Sequence, residues 1–273
     1  MGRVLHTLPD GEPVWSVTSL DNLLYVLRQL SHEIEVYDKD SYKLQRCITV
    51  PDLIDGNDVI ACAHNRCAYI CDIADTNKCI HRVGLPHGVD ITNWPVNDKP
   101  CCLSVTDTHS VLVTCREVRR IKEFTTDGIL LRQIQLSEDV VSPWHTIQLS
   151  SGEFVVCHGD LDDPIHRVCL IGSDGRVVKS YGRQKGSGAQ QMDVPLHLAV
   201  DRNGFVFVAD MNNDRVLLLT PALTFVREVV SREQLKWLPV RLWLDSGRRR
   251  LYVAANQVKD GKPTAGRVVV VGV

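Results

Sequence analysis

Two histidines at a repeated position are the first residues in this chain that could do chemistry. His145 and His197 each stand two residues after a proline, in Pro143-Trp-His and Pro195-Leu-His. Imidazole offered twice in one setting is the usual way to present nitrogen to a metal. A catalytic zinc asks for three protein ligands, and the positions that correspond in the other units, Trp15, Ile60, Cys102 and Arg241, supply no third imidazole. His158 and the acidic Asp160, Asp162 and Asp163 follow closely, but their spacing does not demand a calcium loop. Ten cysteines are the other candidates. Six fall between Cys62 and Cys102 without one Cys-x2-Cys pair. Cys67 and Cys71 share an extended apolar segment, where residues four apart stand ~13 Å from each other, too far for one tetrahedral ion. No Gly-x-Ser-x-Gly elbow and no phosphate-binding glycine loop occurs. The expectation is a chain with no metal, no cofactor and no catalytic site, its cysteines reduced and buried in a cytoplasmic protein.

The elements that must position these residues are strands. Leu23-Leu-Tyr-Val-Leu, Val111-Leu-Val-Thr-Cys, Glu153-Phe-Val-Val-Cys, Phe205-Val-Phe-Val-Ala and Leu251-Tyr-Val-Ala-Ala are short and rich in β-branched and aromatic residues. Turn signals such as Asp21-Asn22, Ser151-Gly152 and Asn203-Gly204 separate them. A Pro, or once Asp, opens an apolar run at Pro13, Asp58, Pro100, Pro143, Pro195 and Pro239, at intervals of 42 to 52 residues. Each unit carries four strand-like runs, here called A to D, except the last, which lacks its D. The segment Arg3-Val-Leu-His-Thr-Leu8 is a spare strand before the first A. A closed ring accounts for both: the N-terminal strand completes the final sheet. The chain therefore reads as an all-β, six-bladed β-propeller of four-stranded antiparallel blades, one domain over 1–273, with blades near 13–51, 58–96, 100–137, 143–182, 195–231 and 239–273 plus 3–8.

Aligned units give meaning to single positions. Strand C opens on Glu33, Cys79, Arg120, Arg167, Arg215 and Arg267, and four arginines in one slot are expected to pair with carboxylates or carbonyls between blades. The segment Gly186 to Leu219 runs through a glycine-rich linker, Pro195, Ala-Val-Asp201, Asn203-Gly204, Val-Ala-Asp210 and Asn-Asn-Asp-Arg215-Val. It resembles an NHL repeat, strongly in this fifth blade and in part in the fourth and sixth. The resemblance implies an NHL-type propeller of the kind that ends TRIM-NHL ubiquitin ligases and binds protein or RNA partners.

Propeller topology gathers the D-to-A and B-to-C connections on one face, the top, where a rigid scaffold presents its binding residues. Trp15, Trp94, Trp144 and Trp237 fall at or just before strand A, and tryptophan is a preferred interface anchor. The long B-to-C connections 158–166 and 256–266 add His158, Asp160, Asp162 and Lys259, and Arg28, Arg116 and Arg183 complete the candidate surface. Lys and Arg number 31 against 33 Asp and Glu, for a net charge of −2. That balance offers nothing in bulk to DNA or an anionic membrane. The start, Met1-Gly-Arg-Val-Leu-His, has no apolar signal core. The expected partner is a protein or peptide segment held on the top face of a monomeric domain. RNA on the sector near Arg116 and Arg183 is the alternative, and a channel-metal lyase or hydrolase the second alternative.

Overall fold

The alternation of apolar and polar residues along each run leaves one solution: sheets stacked face to face around an axis, each face covered by its neighbour. The computed structural model describes residues 2–273 and contains six four-stranded antiparallel sheets. Their innermost strands, A, are Val14–Leu20, Gly56–Cys62, Cys102–Val105, Pro143–Gln148, Pro195–Val200 and Leu238–Asp245. In blades 1 to 5 the four strands follow in chain order from axis to rim. The outermost strands are largely exposed, as in Leu130–Gln135, whereas the second strands, such as Val206–Asp210, are wholly buried. The core is accordingly six clusters, most of them lying between adjacent blades. Among the described residues helix is confined to Arg232–Leu235 and a 3-10 turn at Met211–Asn213, and none of it is long and apolar enough to cross a membrane.

Blade 6 closes the ring as the spare strand requires. Arg3–Thr7 pairs antiparallel with Lys262–Gly272, which pairs with Arg250–Lys259, which pairs with strand A. Leu8, just beyond, is 1% exposed and packs with Val14, Tyr252 and Val268. The seam to blade 1 is tight. Asn256 accepts the N–H of Val14 at 2.8 Å and donates to its carbonyl at 2.9 Å, while Gly11 and Gly266 exchange backbone hydrogen bonds. A Cβ on Gly266 would stand 2.2 Å from the nitrogen of Val14, so only glycine lets the two backbones approach this closely.

Three details differ from the sequence reading. The segment 256–266 is not a loop: both strands of its hairpin continue to a two-residue turn, Asp260-Gly261, because Gln257 to Lys259 find partners opposite. Repeat alignment sets Cys115 at the end of strand B with Cys71, whereas Cys115 pairs with Arg120 and so holds the slot of Asp72. All ten cysteines are free, and nine are buried, but Cys47 is exposed, since it lies on the outermost strand Leu44–Thr49.

Because the closing strand buries one side of blade 6, Leu8→Ala is expected to cost about 2–5 kcal/mol, and removal of residues 1–8 more than that. Urea midpoints of the two variants check this. A truncated protein with the wild-type midpoint would overturn the closure.

Candidate functional site

The six inner strands begin at the top of the axis, and five of them begin with a β-bulge at the same place. The register shifts between Val14 and Ser16, Gly56 and Asp58, Pro143 and His145, Pro195 and His197, and Pro239 and Arg241. Each bulge inserts one residue that the partner strand does not match, and such a residue is re-aimed out of the ladder. The inserted residues are Trp15, Asn57, Trp144, Leu196 and Val240. Together with Cys101, which precedes strand A of blade 3, all of them line one cavity of about 670 Å³ at the top of the ring. Met211 and Leu238 add apolar wall. The hairpin overhangs one side through Val258, Gly261 and Pro263, and Arg116, Asp160 and Asn212 stand among the polar lining. A concave, mainly apolar space of this size with a few polar groups is the form of a ligand site.

One residue further on, every strand turns its next side chain to the axis: Ser16, Asp58, Cys102, His145, His197 and Arg241. Several hook onto the neighbouring blade. Ser16 donates to the Asp58 carboxylate at 2.6 Å, and Asp58 accepts the N–H of Leu103 at 2.8 Å. His145 donates from Nε2 to the carbonyl of Leu103 at 3.0 Å and accepts the N–H of Leu198 at Nδ1 at 3.2 Å. His197 accepts the N–H of Leu242 at Nδ1 at 3.3 Å. The two imidazoles stack with centroids 3.8 Å apart. Arg241 reaches across to the carbonyl of Asn57 at 3.2 Å and lies 3.5 Å from Asp58. Asp58, which alignment had passed over in favour of Ile60, thus completes an Asp–His–His set whose donor atoms lie within 4.8 Å of one another. Both nitrogens of His145 are already committed between blades and a guanidinium stands beside Asp58, so the arrangement fits a seam and not a cation. Burial pushes the His145 imidazole down to about 4. Burial, with His145 and Arg241 alongside, pushes His197 well below its ordinary value.

The candidate residues separate into groups. Trp15, Trp144, Arg116 and Asp160 meet in the top cavity. There Arg116 forms an ion pair with Asp160 and lies 4.0 Å above the Trp144 ring, while Trp144 Nε1 donates to the carbonyl of Gly159 at 3.2 Å. Trp94 is not at the mouth: it is buried between Tyr69 and Phe124, centroids 5.9 and 6.4 Å away, because it sits on the outermost strand Val89–Pro95 and faces the next blade. Trp237 is half-buried under Arg267, 3.9 Å above its ring. Arg28 is held by Glu35 at 2.9 Å and by the carbonyl of Glu12 at 2.6 Å. His158 is buried, with Nδ1 on the carbonyl of Val141 at 3.1 Å and Nε2 accepting from Arg167 at 3.2 Å; burial and then that guanidinium bring its pKa down to about 4. Asp162 and Lys259 are exposed outside the cavity, and Arg183 lines a separate groove beside Tyr181 and Phe225. The sequence reading missed Asn57, Leu196, Val240 and Met211. The signal for the first three was the repeat position held by Trp15 and Trp144; Met211 opens the turn after strand Val206–Asp210 and carried no such signal.

No family model and no curated protein matches the chain. Solved structures do. A PQQ-bound aldose sugar dehydrogenase from Streptomyces coelicolor is 13% identical, with a TM-score of 0.70 over 99% of this chain and 98% of that one. A virginiamycin B lyase from Staphylococcus aureus is 10% identical, with a TM-score of 0.65 over 97% and 99%. The Cps50 (Swd1) β-propeller domain of Myceliophteria thermophila is 10% identical, with a TM-score of 0.62 over 100% of both. At such identities the likeness shows the propeller fold alone. It corrects one expectation: this architecture carries a lyase and a dehydrogenase, so the inference that the chain is not an enzyme does not stand.

His145 and His158 stay neutral in the folded protein down to pH near 4 but titrate near 6.5 once unfolded. Between those values the unfolded chain binds more protons, so stability falls as pH drops through that window, on the order of 3 kcal/mol for each histidine. Urea unfolding between pH 7.5 and 4.5 reads this, and His145→Gln flattens the slope by about 1.4 kcal/mol per pH unit. A wild-type stability independent of pH over that range would contradict the neutral, buried assignment.

Proposed function

We propose that the chain is a recognition propeller whose top cavity takes an apolar segment of a protein partner. The observation that carries the reading is the convergence of all six inner-strand starts, Trp15 and Trp144 among them, on one cavity of about 670 Å³. Its floor is a rigid ring of strands and its wall is apolar, so one or two large side chains of a partner fill it without reordering the protein. The ion pair of Arg116 and Asp160 is part of the rim, placed to receive the polar backbone of an extended segment. The likeness of blade 5 to an NHL repeat supports partner recruitment of the kind found in TRIM-NHL ligases.

RNA is supported less well. A phosphate track needs several free Lys or Arg, and in the sector of Arg116 and Arg183 the first is already paired with Asp160.

Selection of peptides from a displayed random library, followed by fluorescence polarisation, tests the proposal. Trp15→Ala and Trp144→Ala are each expected to weaken a selected peptide at least tenfold, in keeping with about 1.4 kcal/mol or more per anchor. Lys259→Ala leaves the affinity within twofold. Peptides that bind the tryptophan variants as they bind wild type overturn the reading. So does sub-micromolar single-stranded RNA binding with a steep salt dependence and no selected peptide.

A further inference from the structure

Blade 2 holds a second cluster that the top cavity does not use. Asp72 ends strand Cys67–Asp72 and pairs across the ladder with Cys79, the first residue of Cys79–Gly84. His81 follows two residues later and so shares the face of Cys79. The three side chains meet in the buried face of blade 2 towards blade 1. Cys79 Sγ lies 3.3 Å from His81 Nε2, and the same nitrogen lies 3.5 Å from Asp72 Oδ2. All three donor atoms lie within 4.8 Å of one another. Asp72 and His81 are fully buried and Cys79 is 4% exposed.

The other blades show what is unusual here. In blade 5 the same two ladder positions hold Asp210 and Arg215, and the guanidinium meets the carboxylate at 2.7 Å. Blades 3, 4 and 6 also carry arginine in this slot. Blade 2 keeps the buried carboxylate and replaces the cation with a thiol. Asp72 accepts the backbone N–H groups of Ile54, Asp55 and Ala74 and the amide of Asn77, the donor set of an ionised carboxylate. A buried negative charge calls for a compensating positive one. Among the described residues no Lys or Arg forms an ion pair with Asp72, and the group beside it able to carry positive charge is His81. Nδ1, the other nitrogen of His81, has no hydrogen-bond partner among them.

We propose that Asp72, Cys79 and His81 bind a zinc ion that takes the place of the arginine in blade 2. Tetrahedral bonds of about 2.0–2.3 Å separate neighbouring donor atoms by about 3.3–3.8 Å, and the sulfur–nitrogen and nitrogen–oxygen separations fall in that range. Thiolate, imidazole and carboxylate together suit zinc before any other abundant divalent ion. The spacing that rules out Cys67 and Cys71 as joint ligands along one strand does not apply, since Asp72 and Cys79 face each other across two. The site is independent of the ligand mouth and stands whatever binds there.

Metal analysis of protein purified without chelator is expected to find one zinc per chain. After chelation, cobalt(II) titration gives a near-ultraviolet thiolate-to-cobalt absorption, and zinc raises the melting temperature. Cys79→Ser abolishes that absorption, and both it and His81→Gln lower zinc affinity tenfold or more, while His197→Gln keeps the cobalt spectrum. Circular dichroism separates a folding defect from a binding defect. Wild-type protein that retains no zinc and gives no cobalt spectrum overturns the proposal, because His81 then serves Asp72 only as a hydrogen-bonded partner. A cobalt absorption that survives in Cys79→Ser overturns it as well.

Discussion

Six strands that converge on one axis cannot all keep ordinary side chains there, and the ring of polar residues one step inside each strand is the solution on which this fold depends. Each of these groups is buried and therefore needs a partner. The partner is the backbone of the next blade, through Asp58 to Leu103, His145 to Leu198 and His197 to Leu242. The hydrogen bonds serve two ends together. They satisfy polar atoms that would otherwise cost about 1–3 kcal/mol each, and they hold the inner strand of one sheet in register with the next. The bulge follows from this. With one residue turned to the axis for the seam, the residue before it is displaced from the ladder and becomes the wall of the mouth.

This arrangement joins stability to recognition. Trp144 and His145 are neighbours in sequence, yet one faces the ligand cavity and the other fixes blade 3 to blade 5. The residues of the seam are unlike around the ring: serine, aspartate, cysteine, two histidines and arginine. Arg241 and Asp58 place a charge pair across the axis, and the histidines opposite are kept neutral by burial. The axis is therefore chemically asymmetric although the scaffold is a ring of similar units, and of these seam side chains Arg241 also lines the top cavity.

Much of this was legible in the residues. The apolar rhythm, the recurring proline and the spare strand Arg3 to Leu8 define six blades and their closure without reference to coordinates. What was not legible was anything that depends on a register shift of one or two residues. Trp15 and Ser16 exchange roles once a bulge is placed between Val14 and Ser16, and a shift of two, with Gly56 rather than Asp58 in the slot of the opening proline, conceals Asp58 behind Ile60. The fate of Trp94 was also hidden, since its neighbours Tyr69 and Phe124 come from strands 25 and 30 residues away in opposite directions. The hairpin 256–266 shows a third limit. Its Gly, Pro, Lys and Asp composition reads as a loop, and only pairing with the opposite strand makes it β-structure.

The way blade 6 is completed has a mechanical side. Arg3 stands opposite Gly272, so the first and last strands of the ring lie side by side with their outer ends together. A force that draws those ends apart does not shear the sheet. It unzips the Arg3–Thr7 ladder one hydrogen bond at a time, beginning at Gly272. The ring that its closed seam holds together is thus soft to tension along this single line, and blade 6 is where it opens.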